Sequence, residues 1–257
     1  MTKRNFVIIK LFLIFSLSDL FALGSAGNKY LYESRRIIDL PNAGLLPKEH
    51  IAIDLFFMKN GGMTFVVGYA PFDFLNIDLS YGLMNFIGNS KIYTIKYPNI
   101  DIKARIINET IYLPALCFGF STISNNFYDN QFERFQINSP GFYAAFSKSF
   151  ITDLGYLASH IGINYSFDPA DKDKSVNFYF GLEKSINSNS SINLEYNFQL
   201  DDRNNEFYKD NGYCSLSYRY GVFSGVTLEI QLRDLLNNSK KINSVERIFN
   251  IEIIKRI

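Results

Sequence analysis

From Ile51 to the C-terminus the chain alternates apolar and polar positions with a period of two, segment after segment. Ile192-Asn193-Leu194-Glu195-Tyr196-Asn197-Phe198-Gln199 is the cleanest instance, with Ile, Leu, Tyr and Phe on one side and Asn, Glu, Asn and Gln on the other. Strict alternation is the pattern of half-buried strands. It predicts twelve of them, over 51–58, 63–70, 75–83, 100–107, 115–121, 141–150, 156–167, 175–185, 190–199, 212–220, 225–232 and 246–254. Most approach the roughly nine to eleven residues that a tilted membrane-barrel strand needs.

The connections between these segments alternate too. Links 71–74, 108–114, 151–155, 186–189 and 221–224 are short, whereas 84–99, 122–140, 168–174, 200–211 and 233–245 are mostly longer. Short inner turns with longer outer loops are characteristic of outer-membrane barrels. The first hairpin, Lys59-Asn60-Gly61-Gly62, is tight and predicts a two-residue type I′ turn at Asn60-Gly61. An even strand count places both ends on the periplasmic side. Phe72, Phe74, Phe150, Tyr156, Tyr220 and Phe223 then fall near the inner rim, and Tyr81, Phe86, Tyr165, Phe167 and Phe198 near the outer rim. Two aromatic girdles are expected of such a barrel.

A soluble sandwich would also alternate, so the content of the polar face matters. That face carries Gly68, Gly82, Cys117, Gly119, Gly162, Gly181, Ser215 and Ser217 where a soluble sheet would show more Lys, Glu and Thr. Small residues mixed with a few charges suit a crowded lumen. The charges there are Asp78, Asp101, Lys103, Arg105, Glu183, Glu195, Arg219, Glu229, Arg233 and Glu252. Charges facing lipid at mid-depth would cost about 2–4 kcal/mol for each Arg or Lys and less for each Asp or Glu, so they are expected to line the lumen. One reading pairs acids with bases across it and fixes the barrel's shape. The other makes Lys103, Arg105, Arg219 and Arg233 a path for anionic solutes.

Ahead of the barrel, residues 1–26 read as a secretory signal peptide. Lys3 and Arg4 precede an apolar stretch over 6–15, and Gly24-Ser25-Ala26 supplies small residues for cleavage. Residues 27–50, with Pro41, Gly44 and Pro47, show little periodicity and read as an extended periplasmic leader. The barrel then occupies 51–257. The fold class expected is all-β, an antiparallel transmembrane β-barrel of about twelve strands.

The net charge of +1 argues against a nucleic-acid partner. Cys117 and Cys214 lie on different strands and opposite faces, so no disulfide is expected. Outer-membrane phospholipases pair His-x-Ser on one strand face; here His160 is followed by Ile161-Gly162 and His50 by Ile51-Ala52. Ser159, adjacent to His160, points to the opposite face. His160 therefore reads as a polar group of the lumen. Two histidines, two distant cysteines and no HExxH leave metal catalysis without ligands. Asp201-Asp202 and the acids of 168–173 could hold Ca²⁺ but read more simply as solvated loop residues. Asn108-Glu109-Thr110 matches a glycosylation acceptor that means little in a bacterial envelope.

Leu40-Pro41-Asn42-Ala43-Gly44-Leu45-Leu46-Pro47, the strand after it and Gly61-Gly62 resemble the opening of the YjbH-like outer-membrane proteins. Ser139-Pro140-Gly141-Phe142-Tyr143 and His160-Ile161-Gly162-Ile163-Asn164-Tyr165-Ser166 resemble later strands of that group. The resemblance implies a link to exopolysaccharide export and carries over no site residues. The chain departs from the group in lacking a lipoprotein cysteine, in being one small barrel and in ending without a terminal aromatic.

Taken together, a non-enzymatic outer-membrane barrel is expected, a pore for passive passage of small solutes or a surface protein acting through loops 84–99 and 122–140. No cofactor and no metal are implied. The partners implied are outer-membrane lipid and, during insertion, the barrel-assembly machinery; a monomer is expected.

Overall fold

The computed structural model describes residues 32–89, 91–95, 97–126, 128–129, 134–153, 155–168, 175–202, 209, 211–240 and 245–257. The signal peptide expected at 1–26, the first residues of the leader and most of the loop at 168–174 lie outside the described residues. The twelve long strands are β1 His50–Phe57, β2 Met63–Phe72, β3 Leu75–Met84, β4 Asn99–Ile107, β5 Ala115–Ser121, β6 Gly141–Thr152, β7 Gly155–Tyr165, β8 Asn177–Asn187, β9 Ser190–Asn197, β10 Tyr213–Phe223, β11 Val226–Arg233 and β12 Glu246–Arg256. Each pairs antiparallel with its chain neighbours. β12 returns to β1 in unbroken register from His50↔Arg256 to Phe57↔Phe249, so the sheet closes and has no free edge.

One turn differs in detail from expectation. Asn60 (φ 55°) and Gly61 (φ 67°) adopt the left-handed conformations of a type I′ turn, and the Gly62 N–H donates to the Lys59 carbonyl at 3.2 Å. The Met58 N–H also bonds the Gly62 carbonyl at 2.8 Å. The hairpin thus carries one residue more than a strict two-residue link.

Burial follows the period of two. On β1, Ala52, Asp54 and Phe56 are fully buried while Ile51, Ile53, Leu55 and Phe57 are not. Outside, Leu79, Ile102, Phe118, Phe142, Ile161 and Ile230 stand exposed around the wall. Phe72 stacks on Phe74 with centroids 5.5 Å apart at one rim, and Phe142 meets Phe167 at 5.3 Å at the other. The polar positions are the buried ones, the reverse of a water-soluble protein. No helix among the described residues is long and apolar enough to cross a membrane.

Candidate functional site

A barrel of about eight strands is filled by its own side chains, whereas a wider one leaves a cavity. In this twelve-stranded barrel the leader occupies that cavity. Residues 32–46 do not extend below the barrel as expected; they form a hairpin inside it. One leg rises through Tyr32–Arg36, the chain turns at Ile37–Leu40, and the other leg descends through Pro41–Leu46 into β1. The Ile37 N–H bonds the Leu40 carbonyl at 2.9 Å to close the turn, and Arg36 bridges to Pro41. The physical reason for the correction is composition: the segment mixes Ile37, Ile38, Leu40, Leu45 and Leu46, all buried, with charges that complement the wall.

Apolar contacts seat both legs. Leu46 packs with Ala52, Ala70 and Ile254, flanked by Tyr32. Ala43 fits among Ala115, Cys117, Tyr143 and Ala145, while Ile37, Ile38 and Leu40 surround Tyr179. The small residues of the wall make room. A Cβ on Gly181 would press on Ile37, and one on Gly68 would press on Asp78 and Arg35. Gly119 and Gly162 lie under the rings of Tyr143 and Tyr179.

Polar contacts hold the hairpin more specifically. At the turn, the successive N–H groups of Ile38, Asp39 and Leu40 donate to Glu195 Oε2 at 3.0, 3.0 and 2.9 Å. Converging backbone amides around one carboxylate form an anion nest. Lower down, the Arg35 guanidinium contacts Asp54, Asp78 at 2.8 Å and Glu252 at 3.1 Å. Arg36 reaches Asp54 at 2.9 Å and lies over the Phe56 ring, 4.8 Å from its centroid.

The wall residues singled out from sequence all face inward, and their partners are now visible. Lys103 Nζ donates to the Arg35 carbonyl at 2.6 Å and to the Gly44 carbonyl at 3.4 Å, tying one leg to the other. Arg105 donates to the Ala43 carbonyl at 2.9 Å and pairs with Glu33. Arg219 pairs with Glu229 at 2.9 Å and Glu183 at 3.6 Å while donating to Ser34, Arg36 and Ile37. Asp101 accepts from the Tyr143 hydroxyl at 2.9 Å. Glu229 also accepts from Ser217 at 2.6 Å. Arg233, fully buried, pairs with Asp39 at 2.6 Å and donates to the Asn125 carbonyl at 2.8 Å and Asn126 Oδ1 at 3.0 Å. It therefore joins the hairpin tip to the loop after β5. Of the two readings of the wall charges, the structure favours pairing, with the four bases engaged by the hairpin and Arg219 by wall acids as well.

Described loop residues also cover part of the outer mouth. Phe56, Met58, Val66, Met84 and Ile248 of the wall pack with Ile95, Ile123 and Phe135 from the loops. The described part of loop 122–140, the outer loop through which a surface protein was expected to act, is folded into the mouth with Asn125, Asn126 and Ser139 buried. Asp201 and Asp202, expected to be solvated, are buried near amides, Gln199 Nε2 donating to Asp202 at 3.3 Å. No cluster of metal-ligating side chains occurs among the described residues.

At the inner end a pocket of about 210 Å³ remains between the hairpin and β4–β7, bordered by Glu33, Arg105, Glu109, Ser147 and His160. Glu109 sits in the turn after β4, where partial burial pushes its carboxyl above the ordinary value against the pull of Ser149 and Lys148. His160 lies on the lumen face with Nδ1 2.8 Å from Ser147 Oγ. Sequence reading missed this partner because it stands across the β6–β7 ladder, Ser147 opposite His160. The same Oγ accepts from the Ala43 N–H at 2.9 Å, and His160 Nε2 has no partner among the described residues. Through Ser147 the pair ties the Ala43 backbone of the hairpin to the wall. Cys117 and Cys214 are both free, as expected.

No family model matches the chain and no curated protein matches it, so the resemblance to the YjbH-like group is not shown. Solved outer-membrane barrels do align. A KdgM porin aligns at 8% identity over 81% of this chain and 99% of that chain, with a TM-score of 0.48. The NanC porin aligns at 10% identity over 80% and 99%, with a TM-score of 0.46. The Acinetobacter baumannii outer membrane protein Omp33 aligns at 8% identity over 79% and 96%, with a TM-score of 0.45.

Proposed function

We propose that this chain is a gated outer-membrane channel whose gate is its own N-terminal hairpin. The lipid-facing location is supported by the exposed apolar belt and its two aromatic rims. One observation carries the gating reading. The hairpin fills the lumen but adds no strand to the sheet, whose twelve strands close on one another without it. Withdrawing it would break side-chain contacts and leave the ladder whole. Both legs also start and end at the same rim, beside Ala52 and Ile254, so the hairpin can leave without threading.

The test is planar-bilayer recording on the full-length chain, wild type and with Arg35→Ala and Arg36→Ala together. Removing one partner of a buried ion pair costs about 3–5 kcal/mol when the other stays dry. Here water relieves that cost only by entering the lumen, so the variant shifts towards the open state. The wild type is expected to be closed with rare openings, and the variant to open at least tenfold more often. Folded barrels of both kinds that pass no current would refute the channel and favour a closed surface protein.

A further inference from the structure

We propose that the lumen, once the hairpin leaves, conducts cations in preference to anions, with Arg35 acting as a tethered cation that occupies the path in the closed state. The inference rests on the gating reading above and names its substrate class: small cations, including guanidinium and amines. The charge on the wall decides it. Facing inward are Asp54, Asp78, Asp101, Glu183, Glu195, Glu229, Glu246 and Glu252, against Lys103, Arg105, Arg219 and Arg233. The hairpin itself carries Glu33 and Asp39 as well as Arg35 and Arg36, so its departure removes no net charge and leaves the acids in excess. Rings of acidic side chains select cations.

The excess is concentrated. Asp54 and Glu252 are cross-strand partners, as are Asp78 and Asp101. These four lie on β12, β1, β3 and β4, and the intervening β2 contributes Gly68, whose missing side chain leaves space for the guanidinium. Arg35 reaches three of these carboxylates at once. Two acceptor oxygens beside it stay unsatisfied although their residues are more than nine-tenths buried. Asp78 Oδ1 and Asn76 Oδ1 have no donor among the described residues, and both residues border a small cavity shared with Arg35, Asp101 and Lys103. Buried acceptors without donors call for a further donor, and among these carboxylates a small hydrogen-bonding cation supplies both the donors and the charge. Of the wall bases only Lys103 borders this cavity, so with the hairpin gone one ammonium faces the four carboxylates and the ring stays acidic. The selectivity inferred is therefore opposite in sign to that of the basic path that was one reading of the wall charges.

The experiment uses the full-length Arg35→Ala, Arg36→Ala chain, which loosens the hairpin and leaves every wall charge in place. Reversal potentials are read across a KCl gradient of about tenfold, and guanidinium chloride is then added on the inner side at about 10 mM. The expected result is K⁺ permeating at least about threefold better than Cl⁻, with guanidinium lowering the single-channel current by about half or more. Adding Asp54→Asn, Asp78→Asn and Glu252→Gln should remove both effects. Should that variant not fold, guanidinium block of the parent variant still decides the point. Openings that favour Cl⁻, or show no preference and no block, would overturn the cation inference and leave the channel standing. Folded barrels without openings would overturn the channel, and this inference with it.

Discussion

Replacing Glu195 by Ala removes the single atom on which the hairpin turn is hung. Three backbone N–H groups converge on Glu195 Oε2 within about 3 Å, at a residue only 3% exposed. Each buried N–H left without an acceptor costs about 1–3 kcal/mol. Three neighbouring amides do not lose their partner independently, and the deleted carboxylate takes its own desolvation cost with it. The low end of the sum, about 3 kcal/mol, is the expected loss, which is roughly a hundredfold in the opening equilibrium of the turn. Amide hydrogen exchange in detergent micelles reads that equilibrium directly. Peptides covering Ile38, Asp39 and Leu40 should exchange roughly a hundredfold faster in the variant, while those from β8 and β9 keep the wild-type rate because their ladder is untouched. Glu195→Gln keeps one acceptor oxygen and should lie between the two. Turn amides that exchange in Glu195→Ala within about threefold of wild type would refute the argument, since the carboxylate would then not be what holds the hairpin.

Gly44→Ala places a Cβ on the Ser34 carbonyl of the opposite leg; overpacking of this kind costs about 1–3 kcal/mol, so the legs should part and trypsin should cut at Arg35 or Arg36 at least several-fold faster than in wild type. Cys117 Sγ lies 3.4 Å from the Asn42 carbonyl under the hairpin, so a charged maleimide should leave it unmodified in the folded wild type and label it in Arg35→Ala, Arg36→Ala; equal labelling of both would mean the lumen is not filled. At the seam where β1 meets β12, the hydrogen bond and charge of Arg256, together with Lys48, hold the Glu49 carboxyl below its ordinary value. A depressed carboxyl stabilises above its unfolded value and loses that contribution as pH falls through the folded one. The Ile257 N–H that bonds the Glu49 carbonyl at 2.9 Å should therefore exchange faster, relative to neighbouring strand amides, as the pH is lowered through and beneath the ordinary carboxylate range; a constant ratio would show that the pair does not secure the seam.

The strands and their facing were legible because both rest on local rules. A strand shows its period within a few residues, and a charge such as Glu195 or Arg219 cannot face lipid, so its side of the wall follows from parity alone. The hairpin obeys neither rule. Residues 32–46 have no period, their polar groups are satisfied by residues as distant as Glu195, and nothing in their local pattern separates a segment lying in water from one lying in a polar lumen. Yet two non-local signals were present. Asp54 and Glu246 belong to the inward face by the same parity that places Asp78 and Glu229 there, and counting them raises the acids of the wall from six to eight against four bases. An acidic interior lined by apolar-facing strands needs bases from elsewhere, and Arg35-Arg36 are a pair of adjacent bases in the segment that precedes the barrel. The second signal is space, since twelve strands enclose more than their own side chains fill. The lumen glycines then divide in a way the wall alone could not reveal. Gly119 and Gly162 accommodate the barrel's own Tyr143 and Tyr179, whereas Gly68 and Gly181 accommodate Arg35 and Ile37 of the hairpin. A wall evolved only to be packed would need the first kind. The second kind is shaped to receive a separate segment, which is why the interior reads as a socket with an occupant and why the charges exposed by that occupant's departure set the selectivity argued above.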